Sequence, residues 1–325
     1  MKRNTIGIAL AICLLAAFPV RAADGAYEAY SQGDYATALR LWLPMAERND
    51  PEAQYRLGAM YFNGQGVAID EAQGLKWLRK AADQGYANAQ FSLAVRYANG
   101  KGVTRDGARA ASWFRKAADQ GHVKAQYNLA LIYYNGSGVP KDEGQAIAWG
   151  RKAADQGYAK AQNNLGIMYY NGEGVPKDEK QALSWFRKSA DQGFASAQYN
   201  VGVAYDEGKG VPVDDVEAVV WYRKAAEQGD AGAQYSLGTM YDDGAGVPED
   251  DAQAVTWYYA AAEQGLADAQ FALGNMFADG KGVAQDDVEA AVWFRKAAEQ
   301  GHPDADNNLG VLYRRNLHRP GLFIR

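Results

Sequence analysis

The feature that most constrains the fold is a tryptophan that returns every 36 residues. It occupies the positions Trp77, Trp113, Trp149, Trp185, Trp221, Trp257 and Trp293. A fixed period of this length is typical of a solenoid, in which each unit packs only against its neighbours. The spacing predicts seven full repeats, at residues 53–88, 89–124, 125–160, 161–196, 197–232, 233–268 and 269–304. We expect a divergent capping repeat at 24–52 before them and a half-repeat with a tail at 305–325 after them.

Each repeat carries two helical patterns. In repeat 161–196, Ala161 and Leu165 begin an apolar stripe with helical spacing, which predicts a first helix, helix A, followed by a glycine-rich loop. Asp178 then stands where the N-cap of a second helix, helix B, belongs, and Gly193 stands where its C-cap belongs. Because one helix pair cannot bury both of its faces, neighbouring pairs must share a core, with the repeated tryptophan as a core residue. The sequence therefore predicts an all-α solenoid of helix-turn-helix repeats.

Charged residues mark both ends of helix B. The predicted N-caps are Asp70, Asp106, Asp142, Asp178, Asp214, Asp250 and Asp286, and six of the seven repeats carry an Arg-Lys pair in the last turn. An N-cap carboxylate accepts backbone N–H bonds, and a cation is favourable near the C-terminal end of a helix. We interpret both sets of charges as structural and not as a phosphate-binding site.

The composition and motifs exclude several classes of function. A net charge of −5 over 325 residues, without a basic stripe, argues against a nucleic-acid partner. The G-x-G of the loops lacks the strand and the downstream acidic residue of a dinucleotide site. The three histidines form no metal-binding motif, and no S-x-x-K motif is present. We predict no cofactor, no metal and no enzymatic activity.

The N-terminal residues have the pattern of a secretory signal peptide. Two basic residues precede an apolar run at 6–18 that is too short to span a bilayer, and small residues follow it. We predict a signal peptide at 1–22, cleaved near Ala22 or Ala23. The single cysteine, Cys13, lies inside that segment, so the exported chain would have no disulfide. We expect a periplasmic or secreted bacterial protein, without an integral membrane segment after signal removal, and a monomer.

The repeat consensus is AQxxLGxxYxxGxGVxxDxxxAxxWxRKAAxQG, and repeat 125–160 fills it with Ala125, Gln126, Leu129, Tyr133, Gly136, Gly138, Val139, Asp142, Ala146, Trp149, Ala153, Ala154 and Gly157. This pattern resembles the Sel-one-like repeat, a relative of the tetratricopeptide repeat (TPR) with a longer loop between its helices. The resemblance implies a right-handed α-solenoid that acts as an adaptor, in exported bacterial members for envelope regulation, polysaccharide export or host-protein binding. A β-lactamase-like branch of the family has a disulfide in each repeat, and this chain departs from it.

Positions of helix A that face away from the packed stripe are the candidates for binding. By analogy with related solenoids, this side lines a concave groove. The candidate residues are Tyr127, Asn128, Leu131, Tyr134, Asn163, Asn164, Ile167, Tyr170, Tyr199, Asn200, Asp206 and Asp242. Tyrosine beside asparagine suits the surface of a protein or an extended peptide. Acidic residues from Asp206 onward predict a partner with a basic stretch.

The leading hypothesis is an exported scaffold that binds a protein or peptide. The alternative is an envelope enzyme or a cell-wall binder, for which a carboxylate pair across the groove could in principle hydrolyse a glycosidic bond. Most carboxylates are already explained as N-caps or turn residues, which favours the scaffold.

Overall fold

A computed structural model describes residues 24–316, and the side chains of residues 24–315. The predicted signal peptide at 1–22 and the last nine residues of the predicted tail, 317–325, lie outside the described residues.

All regular secondary structure in residues 24–316 is helical. The helices are α1 (described from 24 to 31), α2 (Tyr35–Glu47), α3 (Pro51–Asn63), α4 (Glu71–Asp83), α5 (Ala87–Asn99), α6 (Gly107–Asp119), α7 (Val123–Asn135), α8 (Glu143–Asp155), α9 (Ala159–Asn171), α10 (Glu179–Ala190), α11 (Ala195–Asp206), α12 (Asp215–Ala226), α13 (Ala231–Asp243), α14 (Asp251–Glu263), α15 (Ala267–Asp279), α16 (Asp287–Glu299) and α17 (Ala305–Asn316). From α3 to α16, each odd-numbered helix is a helix A and the next helix is its helix B. The predicted all-α, TPR-like architecture of paired helices is confirmed.

The chain divides into two compact halves, which comprise residues 24–156 and 157–316 of the described part. Within each half, a helix A packs against the helix B of its own repeat and against the helix B of the repeat before it. Small residues of helix B and a leucine or valine of helix A form the shared core. Leu93 and Phe114 represent this core in the N-terminal half, and Val201 and Tyr222 represent it in the C-terminal half.

The aspartate N-caps are confirmed. Asp178 accepts a hydrogen bond from the backbone N–H of Gln181 at 3.0 Å, and the other six predicted caps accept equivalent bonds. The predicted end of helix B is corrected, because α10 ends at Ala190 and Asp191 takes the C-cap position. Gly193 follows two residues later with a φ of +84°, so it shapes the turn into the next repeat.

The Arg-Lys pairs do more than complement the helix dipole. The lysine Nζ lies 3.7–4.6 Å from the tryptophan ring of its own helix B, for example Lys188 over Trp185. The arginine reaches the next helix A, where Arg223 donates to the Tyr241 hydroxyl at 2.6 Å. Arg115, Arg187 and Arg295 make the same bond to Tyr133, Tyr205 and Tyr313. Four of the seven tryptophans are only half-buried: Trp113, Trp185 and Trp221, each beneath a lysine, and Trp257, whose repeat has alanine at the lysine position.

One buried and one exposed glutamine of every full repeat form a hydrogen-bonded ladder that was not predicted from the sequence. Gln198 Nε2 donates to the carbonyl of Ala190 at 3.3 Å, and its Oε1 accepts from Gln228 Nε2 at 2.7 Å. The bond between the two glutamines recurs in every full repeat, at 2.7–2.8 Å. A buried amide is stable only when its polar atoms are paired, so the ladder fixes how neighbouring helices meet.

Candidate functional site

The C-terminal half has a groove between α9 and α11, which we call the α9–α11 groove. Ile167 and Tyr170 come from α9, and Tyr199 and Asn200 come from α11. These four residues belong to the predicted binding set, and the fold brings them to one groove of about 250 Å³. The remaining lining residues are Glu179, Ala182, Leu183, Phe186, Val203, Ala204 and Lys209.

The α9–α11 groove combines an apolar wall with oriented polar groups. Ile167 is 38% exposed, although it is a large apolar residue on a helix. Lys177 Nζ lies 5.4 Å from the centre of the Tyr170 ring, which holds a cation at the edge of the groove. Burial raises the pKa of Tyr199, and its hydroxyl is hydrogen-bonded with Ser236. The groove therefore offers apolar contact together with donors and acceptors.

Asn163 supports the groove from below instead of facing it. Its side chain is only 5% exposed, and its Oδ1 accepts a hydrogen bond from Asn200 Nδ2 at 2.9 Å. This bond fixes the orientation of the half-buried Asn200 amide. The helical spacing predicted that Asn163 faces outward, but it is buried because α11 of the next repeat covers it.

The N-terminal half has a corresponding α5–α7 groove. Two predicted binding residues of α7, Asn128 and Leu131, line it opposite Val95 of α5, with Phe114 of α6 between them. Asn128 Nδ2 donates to the carbonyl of Lys124 at 2.7 Å. This groove is thus built like the α9–α11 groove but from different side chains.

Three further predicted residues are half-buried on the same helices. Tyr127 and Tyr134 lie on α7, and Lys141 Nζ is 5.5 Å from the Tyr134 ring centre. Asn164 lies on α9 beside the buried Asn163. None of the three lines the α5–α7 or the α9–α11 groove.

Asp206 and Asp242 are engaged inside the fold, which the sequence analysis did not predict. The Tyr222 hydroxyl donates to Asp206 Oδ2 at 2.9 Å, and the Tyr258 hydroxyl donates to Asp242 Oδ2 at 3.3 Å. Lys281 also donates to Asp242 and lies 3.2 Å from an oxygen of Asp251. Burial, together with the neighbouring carboxylate, raises the pKa of both tyrosines.

A signal for this pairing was present in the sequence. Aspartate stands at the tenth position of a full repeat only where tyrosine stands at the twenty-sixth, in 197–232 and 233–268. The acidic residues that remain exposed at the ends of helix A are Glu207, Asp243 and Asp279.

The described residues also bear on metal, membrane and histidine sites. Within residues 24–316, no three His, Cys, Asp or Glu side chains are grouped so that they could hold a metal ion. The same part of the chain contains no helix of the length and apolarity needed to cross a bilayer. His122 caps α7 by accepting the Ala125 N–H at 3.1 Å and stacks on Phe91, with ring centres 4.6 Å apart.

A family model described as the Sel1 repeat matches seven consecutive spans, at 51–86, 87–122, 123–158, 159–194, 195–230, 231–266 and 267–302. Each span begins two residues before the corresponding repeat boundary that we predicted, and the period is the same.

Solved structures are similar over most of the chain. One is a protective antigen present in uropathogenic Escherichia coli strains that displays an SLR fold, with 39% identity and a TM-score of 0.80 over 85% of this chain and 59% of that chain. Another is a Sel1 repeat protein from Oxalobacter formigenes, with 34% identity and a TM-score of 0.72 over 96% of this chain and 95% of that chain. The chain therefore spans less than two thirds of the E. coli chain.

An uncharacterized protein of Neisseria meningitidis serogroup B is 45% identical over 53 residues, which are 16% of this chain and 11% of that protein.

Proposed function

The chain belongs to the Sel1 repeat family, and from this premise we propose that it is an exported, non-enzymatic scaffold that binds a protein or peptide partner in its helix A grooves. The observation that carries the proposal is the α9–α11 groove. Four of the residues that the sequence analysis selected for binding line it together.

The chemistry of the α9–α11 groove suits a peptide. Tyr170 and Ile167 provide rigid apolar area, on which an anchoring side chain can pack. Asn200 offers an amide whose orientation is fixed by Asn163. Peptide N–H and C=O groups require such partners when water is displaced from them. A basic partner segment would meet the exposed Glu207 and Asp243, since Asp206 and Asp242 are engaged within the fold.

Export is proposed from the signal-peptide pattern at 1–22. The E. coli relative, which is described as a protective antigen, is compatible with a protein that leaves the cytoplasm.

The test is a binding experiment that uses groove variants of the chain without residues 1–22. Envelope extract is passed over immobilised wild-type protein, and each captured protein is retested with Ile167→Ala/Tyr170→Ala. Tyr259→Ala is the matched control, because Tyr259 is 48% exposed on helix B and does not line the groove. We expect the groove variant to weaken binding by about 2 kcal/mol or more and the control to bind as wild type.

Equal binding by the wild type and the groove variant would contradict the groove assignment. Hydrolysis of a chromogenic β-lactam or of peptidoglycan by the purified chain would instead support the enzymatic alternative.

A further inference from the structure

The N-terminal half has a second pocket, beside the α5–α7 groove. Three arginines line it: Arg79 near the end of α4, Arg105 in the loop before α6, and Arg109 in the first turn of α6. Tyr97, Asp106, Val103, Thr104 and the backbone of Gly100 and Gly102 complete the lining. We call this the arginine pocket.

Arg79 lacks the partner that its counterparts in other repeats have. Arg115, for example, donates to the Tyr133 hydroxyl and lies 5.6 Å from the centre of that ring. The corresponding tyrosine for Arg79 is Tyr97, but the guanidinium of Arg109 lies over that ring, also at 5.6 Å. Among the residues described, Arg79 makes no hydrogen bond or ion pair, and its side chain is exposed.

The other two arginines are held by one nitrogen each. Arg105 Nε donates to the carbonyl of Ala98 at 3.2 Å, and Arg109 Nε lies 3.2 Å from Asp106 Oδ2. Both contacts use Nε, so they orient each guanidinium without using its two terminal nitrogens. Asp106 is the one carboxylate in the lining, against three guanidinium groups, so the pocket is strongly positive in a chain whose net charge is negative.

A carboxylate beside the arginine pocket, that of Glu71, is accompanied by the guanidinium of Arg96. Both side chains lie beside Gly102. Glu71 Oε2 is 3.1 Å, and Arg96 Nη1 is 3.4 Å, from the position that a Cβ on Gly102 would take. Arg96 also donates to the carbonyl of Lys101 at 3.2 Å. This pair is neutral overall and leaves the positive charge of the arginine pocket in place.

The two loop-side arginines are not required by the repeat. The position of Arg105 holds Ile69, Lys141, Lys177, Val213, Glu249 and Gln285 in the other repeats. The position of Arg109 holds Gln73, Gln145, Gln181, Glu217, Gln253 and Glu289. The fold therefore forms without arginine at either position, and only repeat 89–124 combines them with the arginine of the preceding helix B.

We propose that the arginine pocket binds an oxyanion, which is a carboxylate or phosphate group of a ligand. Guanidinium groups form paired, charge-assisted hydrogen bonds to such groups, and they do so more strongly when several converge. The proposal does not depend on the α9–α11 groove, which lies in the other half of the chain.

The test is isothermal titration of the full exported chain at low salt with two probes, citrate for carboxylates and pyrophosphate for phosphates. The variant Arg105→Lys/Arg109→Gln installs the residues that the next repeat has at these positions, Lys141 and Gln145. We expect at least about ten-fold weaker binding of whichever probe binds wild type. Arg79→Gln, which removes a side chain with no partner in the described residues, should weaken binding as well.

The control is Arg115→Gln, which removes an arginine bonded to Tyr133 outside the arginine pocket and should leave the affinity unchanged. Thermal unfolding by circular dichroism confirms that each variant folds. The proposal is overturned if wild type binds neither probe, if Arg105→Lys/Arg109→Gln and Arg79→Gln both bind as wild type does, or if Arg115→Gln loses as much affinity as they do. The probe that binds distinguishes a carboxylate ligand from a phosphate ligand.

Discussion

Replacing Tyr222 by Phe removes a hydroxyl that donates to Asp206 Oδ2 across 2.9 Å. Tyr222 is 1% exposed and Asp206 is half-buried, so water can replace the lost partner only on the carboxylate side. We expect Tyr222→Phe and Asp206→Ala each to destabilise the chain, because each leaves the other group without this hydrogen bond. The double variant Asp206→Ala/Tyr222→Phe recreates the pair of repeat 269–304, which is Ala278 with Phe294.

The expected loss of unfolding free energy depends on how deeply the Tyr222 hydroxyl and the Asp206 carboxylate are buried. A hydrogen bond to a charged group contributes about 1.5–3 kcal/mol. Hydration of Asp206 offsets part of the loss in Tyr222→Phe, for which we expect about 1.5 kcal/mol. In Asp206→Ala the buried hydroxyl keeps Ser236 as a hydrogen-bonding neighbour, and we expect about 2 kcal/mol. The double variant leaves no polar group unpaired, and we expect its free energy of unfolding to fall by about 1.5 kcal/mol. The two single losses together exceed this value by about 2 kcal/mol, which is the expected coupling energy.

The assay is urea unfolding at pH 7, followed by far-UV circular dichroism, for wild type, both single variants and the double variant. The free energies of unfolding give the coupling energy as the difference between the double variant and the sum of the single variants. If the two single effects add to within about 0.5 kcal/mol, the hydrogen bond does not hold Asp206 in place, and the carboxylate is available to a partner after all.

Two further predictions concern stability. Gly210→Ala should destabilise the chain more than Gly229→Ala in urea unfolding. Both glycines have positive φ, but only a Cβ at Gly210 would lie 2.5 Å from a backbone carbonyl oxygen of the preceding repeat. Equal losses of unfolding free energy in the two variants would contradict the close packing of that loop. Burial raises the pKa of Tyr222 and Tyr258 above the ordinary value near 10, so above about pH 10 ionisation favours the unfolded chain and the free energy of unfolding should fall. Tyr222→Phe should lessen that fall, and a stability that stays constant to about pH 12 would refute the argument.

The helix pairs and their caps could be predicted because their causes are local. An aspartate three residues before a free backbone N–H, such as Asp178, caps a helix wherever it occurs. The side-chain partners could not be predicted in the same way, because they lie far apart in the sequence and on different elements. Gln198 and Gln228 are 30 residues apart, and Arg223 and Tyr241 are 18 apart. A helical wheel assigns a direction to each residue, but it does not show what the next helix places there.

In the candidate site too, helical spacing alone did not predict which of two neighbouring residues is buried. Asn163 and Asn164 were both predicted to face a partner, yet α11 covers the first and leaves the second half-buried. The depth of a residue beneath the next repeat depends on that repeat's own side chains, and here Asn200 supplies the contact.

At the third position of the repeat, the chain around the α9–α11 groove differs from the other full repeats. The third position of a repeat is aromatic in the other six full repeats. In four of them this ring packs against the aromatic residue at the twenty-sixth position, with centres 5.6–5.8 Å apart: Phe91 with Phe114, Tyr199 with Tyr222, Tyr235 with Tyr258 and Phe271 with Phe294. Repeat 161–196 has Asn163 at this position instead, so the third position supplies no ring to pack against Phe186, which is 5% exposed and lines the groove. Because an amide needs a hydrogen-bond partner when buried, this one substitution orients Asn200 in the groove. Residues that recur in every repeat are explained by the fold, and a departure such as Asn163 is where a binding surface can arise without loss of the shared core.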